Sequence, residues 1–206
     1  MTDPNPGSTD IIDRIADIFA RRGAEAYLGE RVTVAEHMLQ TATLAQAEGA
    51  SDALIATALL HDIGHFTSEF GEYSPGDTID KLHEAAGAKV LAGYFPTAVT
   101  EAVRLHVAAK RYLCATDQTY YDKLSGASKH SLSLQGGPMR AAEVAAFRRL
   151  EHHEDAVRLR RWDDGGKTTG RRTLTFDAFR PLLQRVAVRD STALIIPTRS
   201  SPAAWP

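Results

Sequence analysis

The residues best equipped for chemistry are the histidines His37, His61, His65, His83, His106, His130, His152 and His153. Four of them, with Asp62, lie in segments whose neighbours are apolar at helical spacing. A histidine facing a helical interior has two ring nitrogens to satisfy, so several converging in one bundle point to a shared cation. One alone means little, because buried polar groups are ordinarily just hydrogen-bonded. The run Leu59-Leu60-His61-Asp62-Ile63-Gly64-His65 says more. A carboxylate beside an imidazole can bridge two metal ions while the imidazole terminates one of them. Helical spacing sets His65 one turn beyond His61 on the same face. Glu36-His37 upstream and His83 and His106 downstream extend the pattern. Such ligands suit iron, manganese, zinc and cobalt. Two metals about 3.5–4 Å apart can hydrolyse a phosphate ester, whereas two irons can bind dioxygen and oxidise a C–H bond, so ligand type alone leaves the reaction open.

Helices must position these groups. Ile11, Ile12, Ile15, Ile18 and Phe19 recur at helical spacing, as do Leu54, Ile55, Ala58 and Leu59 behind the N-cap candidate Ser51. Further helices are expected at about 34–48, 80–93, 97–110, 118–128, 140–162 and 176–187, separated by Gly or Pro punctuation. No stretch alternates with period two between hairpin turns, and no internal repeat is present, so the expected fold is an all-α bundle. Residues 1–188 are expected to form one domain, and 189–206, rich in Ser and Pro, an extended or disordered tail.

Composition narrows the partners. With 24 basic against 26 acidic side chains among 206 residues, no cationic surplus marks a nucleic-acid binder. The longest apolar-or-Thr stretch, Leu54 to Leu60, falls far short of the roughly 20 residues of a membrane span. The N-terminal MTDPNPGSTD lacks the pattern of a secretory signal. A single cysteine, Cys114, agrees with a reducing compartment. The expectation is a cytoplasmic protein that binds neither nucleic acid nor membrane.

The histidine–aspartate ladder closely resembles that of the HD-domain superfamily. The resemblance implies six metal ligands, His37, His61, Asp62, His83, His106 and the Asp163 of Arg161-Trp162-Asp163, holding two ions bridged by Asp62. More specific strings narrow it: Tyr27-Leu28-Gly29-Glu30, His106-Val-Ala-Ala-Lys110-Arg-Tyr112-Leu, Leu124-Ser-Gly-Ala-Ser128, Leu134-Gln135-Gly-Gly-Pro-Met139 and Arg161-Trp162-Asp163-Asp-Gly-Gly-Lys167. Together they are similar to the mixed-valent di-iron oxygenases of the superfamily that degrade organophosphonates, nearest to the glycine-forming type, over roughly residues 10–170.

That resemblance implies two irons (Fe2+/Fe3+) as cofactor, with dioxygen and a small 1-hydroxyphosphonate as substrates. It assigns His65, Lys110, Ser128 and Gln135 to the phosphonate, Glu30 to the substrate's ammonium group, and Tyr27 to a place on one iron in the resting state. The implied reaction oxidises C1 and breaks the C–P bond. It turns 2-amino-1-hydroxyethylphosphonate into glycine and phosphate, or its N-trimethylated analogue into glycine betaine and phosphate. Independently of the family, Lys110 lies one helical turn past His106, placed to neutralise an anionic oxygen that a metal also holds. A quaternary ammonium would favour an aromatic cage, for which Tyr27, Phe66, Tyr73 and Tyr94 offer rings. The segment between His65 and His83 departs from the family pattern, and such a loop could act as a lid. The rival reading is a metal-dependent HD phosphohydrolase acting on a nucleotide or phosphate ester, which has no need of Tyr27 and Glu30.

Overall fold

A computed structural model of the chain describes residues 6–27, 29–67 and 82–188. The expected tail 189–206 and most of the candidate lid, Tyr73 included, lie outside the described residues. Eleven helices follow one another among those described: α1 (Pro6–Arg22), α2 (Val34–Ala47), α3 (Asp52–Leu60), α4 (Gly64–Thr67), α5 (His83–Leu91), α6 (Thr97–Thr116), α7 (Gln118–Lys123), α8 (Gly126–Leu134), α9 (Ala141–Phe147), α10 (His153–Gly165) and α11 (Phe176–Val186). The described residues form no strand, only two isolated bridges, Ala26 with Thr33 and Ala92 with Phe95. The all-α expectation holds.

Helices α2, α3, α6 and α10 pack against one another, and α5 lies against both α4 and α6. Local chemistry fixes where these elements begin. The Thr33 hydroxyl accepts from the Glu36 backbone while the Glu36 carboxylate accepts from the Thr33 N–H, a reciprocal capping box that starts α2 at Val34, three residues before His37. Ser51 caps α3 by accepting from Leu54 N. Every residue of α3 from Leu54 to Leu60 is buried, so this helix is the bundle's centre, and Ala56 and Ala58 let its neighbours approach. Each fully buried leucine there contributes roughly 1.5–3 kcal/mol. On the outside, Phe176, Phe179, Leu182 and Leu183 of α11 close over Ile11, Ile12, Ile15 and Phe19 of α1.

Three helix expectations need correction. The helix expected at 97–110 continues to Thr116, since nothing from Arg111 onward interrupts it before Asp117 turns extended and caps α7. The one expected at 118–128 is two helices, because Leu124 and Ser125 are extended and the Ser125 hydroxyl accepts from Ser128 N to start α8. That expected at 140–162 is also two, broken after Phe147, where the His153 ring donates to Leu150 O at 2.8 Å. His61 and His65 do not share one helix either: α3 ends at Leu60, residues 61–63 turn, and α4 begins at Gly64. The turn has a steric cause. A Cβ on Gly64 would stand 1.9 Å from His83 O, so only glycine lets α4 and α5 meet backbone to backbone.

Candidate metal centre

Five elements deliver the predicted ligands to one place. His37 stands in the first turn of α2, His61 caps the C-terminus of α3, and Asp62 follows in the turn. His83 opens α5, His106 sits mid-way along α6, and Asp163 lies near the end of α10. All six are buried. The imidazoles form two pairs, with His37 Nε2 3.2 Å from His61 Nε2 and His83 Nε2 3.1 Å from His106 Nε2. Asp62 spans them. Its Oδ2 is 3.5 Å from His37 Nε2 and 3.4 Å from His61 Nε2, and its Oδ1 is 3.4 Å from His83 Nε2 and 3.5 Å from His106 Nε2. Asp163 Oδ1 closes the first pair at 3.5 Å from His37 Nε2.

The proton positions follow from the outer ring nitrogens. His37 Nδ1 meets Gly166 O at 3.1 Å, His61 Nδ1 meets Ala58 O at 2.9 Å and His106 Nδ1 meets Val103 O at 2.7 Å. A carbonyl only accepts, so each Nδ1 carries the proton and each Nε2 presents a lone pair inward. His83 Nδ1 faces the Glu84 carboxylate at 3.6 Å. Two neutral imidazoles with lone pairs aimed at each other across 3.2 Å repel unless a cation lies between them, and this outer bonding is the support that metal-bound histidines use. Burial, the largest influence, draws the His61 and His106 pKa values down, which keeps those rings neutral. Burial opposes ionisation of Asp62 and Asp163, yet both carboxyls lie below the usual range, Asp163 held there above all by the Arg160 guanidinium. Neither Asp62 oxygen nor Asp163 Oδ1 has a hydrogen-bond donor. Buried, charged and unpaired oxygens amid lone pairs fit two cations sharing one carboxylate. The described residues thus hold two ligand groups, His37–His61–Asp62 and Asp62–His83–His106, each compact enough for an ion.

Above this centre opens a cavity of about 510 Å³, its open mouth included. Every residue expected to act outside the ligand set lines it: Tyr27, Glu30, His65, Lys110, Ser128 and Gln135. Tyr27 and Glu30 belong to a tight turn, Glu30 N donating to Tyr27 O at 2.7 Å. Tyr27 stacks on His37 at 4.0 Å between ring centres. Burial first, then the Asp62 and Asp163 charges, raises its phenol pKa well above the usual value, so the hydroxyl keeps its proton. His65 stacks on His83, its Nε2 3.8 Å from Asp62 Oδ1. Burial and the His83 charge pull it down to about 3. Lys110 is buried and donates to Ser131 Oγ at 2.7 Å. Burial and Arg160 bring its ammonium down to about 7. Glu30 Oε1 accepts from Ser125 Oγ at 2.6 Å.

Among the described rings of the expected aromatic cage, Tyr27 alone lines this cavity. Phe66 and Tyr94 are absent from its lining; they pack with the hydrophobic core, Phe66 against Phe19 at 6.3 Å. Ser131, Arg160 and Lys167 line the cavity without having been assigned a part. Ser131 lies one turn beyond Ser128 and Arg160 one turn before Asp163, so helical spacing from assigned residues was signal enough for both. Arg160 donates to Asp163 Oδ2 at 2.6 Å and also to Asp164, which leaves Asp163 Oδ1 for the centre.

Comparison with known sequences agrees with this architecture. The HD domain pattern matches residues 34–135. The chain is 53% identical over 177 residues, 86% of its length and 90% of the relative's, to [1-hydroxy-2-(trimethylamino)ethyl]phosphonate dioxygenase (glycine-betaine-forming) of Leisingera caerulea. It is 45% identical over 161 residues, 77% of its length and 80% of the relative's, to hydroxymethylphosphonate dioxygenase of Gimesia maris. An uncharacterized protein of Acanthamoeba polyphaga mimivirus is 28% identical over 174 residues, 84% of this chain and 80% of that one. With buried histidine pairs bridged by one aspartate and relatives matched along most of their length, the chain belongs to the HD-domain family of organophosphonate dioxygenases.

Proposed function

We propose that this protein is a cytoplasmic di-iron oxygenase that cleaves the C–P bond of a 1-hydroxyphosphonate with dioxygen, and that its substrate carries a trimethylammonium group on C2. The observation that carries the reading is the Asp62 carboxylate, one oxygen toward each histidine pair and neither hydrogen-bonded, at the floor of a cavity that holds cationic and anionic side chains. His37, His61, Asp62 and Asp163 would hold one iron and Asp62, His83 and His106 the other. When bound, the mixed-valent pair supplies dioxygen activation and the electron chemistry of C1 oxidation. The overall change is balanced: hydroxyphosphonate and O2 give a carboxylic acid and phosphate, both oxygen atoms of O2 ending in the products.

The chain's own residues bind and orient. Lys110 and Ser128 bind phosphonate oxygens, and Gln135, whose Oε1 has no partner, presents its N–H donors to the same group once its amide rotates. His65, neutral by burial, hydrogen-bonds the phosphonate beside the metals. Tyr27, kept protonated, covers the His37 side. At the other end Glu30 supplies a negative charge whose Oε1 is already occupied by Ser125. The charge of that carboxylate attracts a quaternary ammonium, which donates no hydrogen bond. The 53% identity to the betaine-forming relative supports that substrate.

The test is phosphate release under air from the trimethylated substrate, 2-amino-1-hydroxyethylphosphonate and hydroxymethylphosphonate, with metal analysis and electron paramagnetic resonance of anaerobically purified protein. We expect a coupled ferrous–ferric signal, oxygen uptake on substrate addition, fastest turnover of the trimethylated compound, and loss of that preference in Glu30→Ala. Ester hydrolysis supported by zinc or manganese, with no oxygen uptake, would overturn the proposal in favour of a phosphohydrolase.

A further inference from the structure

Lys167 is a charged cavity residue that neither the ligand ladder nor the phosphonate assignments account for. It lies two residues past the end of α10, in a chain segment pinned on both sides. A Cβ on Gly166 would stand 2.5 Å from Thr41 Oγ1, so the backbone runs directly against α2 there. Thr168 is held by a reciprocal pair, its N–H donating to Gln40 Oε1 at 3.0 Å and its carbonyl accepting from Gln40 Nε2 at 2.9 Å. Between these anchors the Lys167 side chain, only 12% exposed, reaches into the cavity and donates to Ser128 Oγ at 2.9 Å.

The ammonium has carboxylates within ion-pair reach but makes no hydrogen bond to any of them. Three carboxylates surround the ammonium, Glu30 at 3.8 Å, Asp163 at 3.9 Å and Asp164 at 3.6 Å, all beyond hydrogen-bonding range. Each has a nearer donor: Ser125 for Glu30 and Arg160 for both aspartates. The contact Lys167 makes at bonding distance is with a serine of the cavity wall. Lys110 does the same one turn along, through Ser131. Residues three apart on a helix lie roughly 5–6 Å from each other. Two ammonium groups tethered at that spacing can bracket a group bearing three anionic or hydrogen-bonding oxygens. They also burden each other, since Lys167 is among the cations that, after burial and Arg160, depress Lys110. A shared anion would relieve both.

We propose that Lys167 is a second cationic ligand of the substrate's phosphonate, paired with Lys110 across Ser128 and Ser131 of α8. The inference rests on the phosphonate reading above and adds a residue to it. Lys167 acts on the anion, and its distance from Glu30 places it where the anionic and cationic ends of the substrate meet.

The test is calorimetric binding of methylphosphonate, which lacks the C1 hydroxyl, to the metal-loaded enzyme under argon. Losing one charge-assisted hydrogen bond predicts about tenfold weaker binding in Lys167→Met, with Lys167→Arg retaining most of the affinity. Glu30→Gln should bind no more weakly than wild type. In air, the Lys167→Met variant should raise KM for hydroxymethylphosphonate, which has no amine for Glu30 to meet. Should Lys167→Met fail to fold, Lys167→Gln carries the same expectations. Unchanged methylphosphonate affinity, with only the thermal midpoint lowered, would mean a structural counterion and overturn the inference. Binding without any aerobic phosphate release condemns the proposed reaction and leaves this role of Lys167 standing; turnover with unaltered affinity in the variant condemns Lys167 alone.

Discussion

Replacing Lys110 with methionine should stabilise the metal-free protein while abolishing its chemistry. Lys110 is 3% exposed, and burial followed by the Arg160 charge lowers its pKa from 10.5 to about 7. The folded value lies below the unfolded one, so between about 7 and 10.5 the unfolded chain holds a proton that the folded chain lacks, and stability rises with pH across that window. Below about 7 the folded protein bears the whole cost of a buried ammonium, roughly 5 kcal/mol at about 1.4 kcal/mol per tenfold change in proton affinity. Between pH 6.5 and 8.5 about 2 kcal/mol of that cost is relieved. Methionine fills a similar volume without a charge. Urea unfolding followed by helical circular dichroism should therefore find Lys110→Met more stable than wild type at pH 6.5, by a gap about 2 kcal/mol smaller at pH 8.5. Phosphate release should fall by a hundredfold or more, on the order of the loss of one buried charge-assisted contact to the substrate. A gap that is equal at the two pH values, or wider at the higher one, would refute the claim that a depressed ammonium resides at this position.

Two further substitutions probe the supports of the metal centre. Gly166→Ala would push a methyl group against Thr41 Oγ1 at 2.5 Å and His37 O at 3.1 Å, displacing the carbonyl that holds His37 Nδ1; about 10-fold weaker metal binding is expected, by the usual cost of disturbing a ligand's outer hydrogen bond, read by metal content after dialysis. Arg160→Met would strip Asp163 and Asp164 of a buried guanidinium that also donates to Tyr120 Oη at 3.1 Å; a loss of about 3–5 kcal/mol in urea unfolding is expected, and a loss below about 1 kcal/mol would show that these charges find other partners.

The sequence was most legible where function and fold share one short stretch. Leu59-Leu60-His61-Asp62 places a helix end, two ligands and two fully buried leucines within four residues, so pattern and chemistry point the same way. It was least legible where a contact joins distant segments. Ser125 meets Glu30 across 95 positions and Gln40 meets Thr168 across 128. Lys167, behind two glycines, stands at the end of the 161–167 string without a part of its own until Gly166 and Thr168 are seen pinned against α2. The continuous helix from His61 to His65 failed for a related reason. The contact that breaks it, Gly64 against the His83 carbonyl, is a packing event that helical periodicity does not encode. Phe66 likewise looked available for a cage, but its packing against Phe19 draws it into the core.

The unpaired atoms of this molecule explain why the fold tolerates so costly an interior. Leaving a buried polar atom without a partner costs about 1–3 kcal/mol, yet Asp62 leaves both carboxylate oxygens so, and Asp163, His65 and Gln135 leave one atom each, all at or beside the same cavity. They divide by chemistry. The carboxylate oxygens face imidazole lone pairs and require cations, whereas Lys110 and Lys167 crowd the serines of α8 and require an anion. Whatever fills these demands binds the folded chain and not the unfolded one, so its binding free energy adds directly to stability. Metals alone answer only the first demand, and they bring further positive charge toward two lysines whose hydrogen bonds go to neutral serines. A dianionic phosphonate answers the second and offsets that charge at once. Metal loading and phosphonate binding should therefore favour each other, so that methylphosphonate raises the thermal midpoint more in the metal-loaded protein than in the metal-free one.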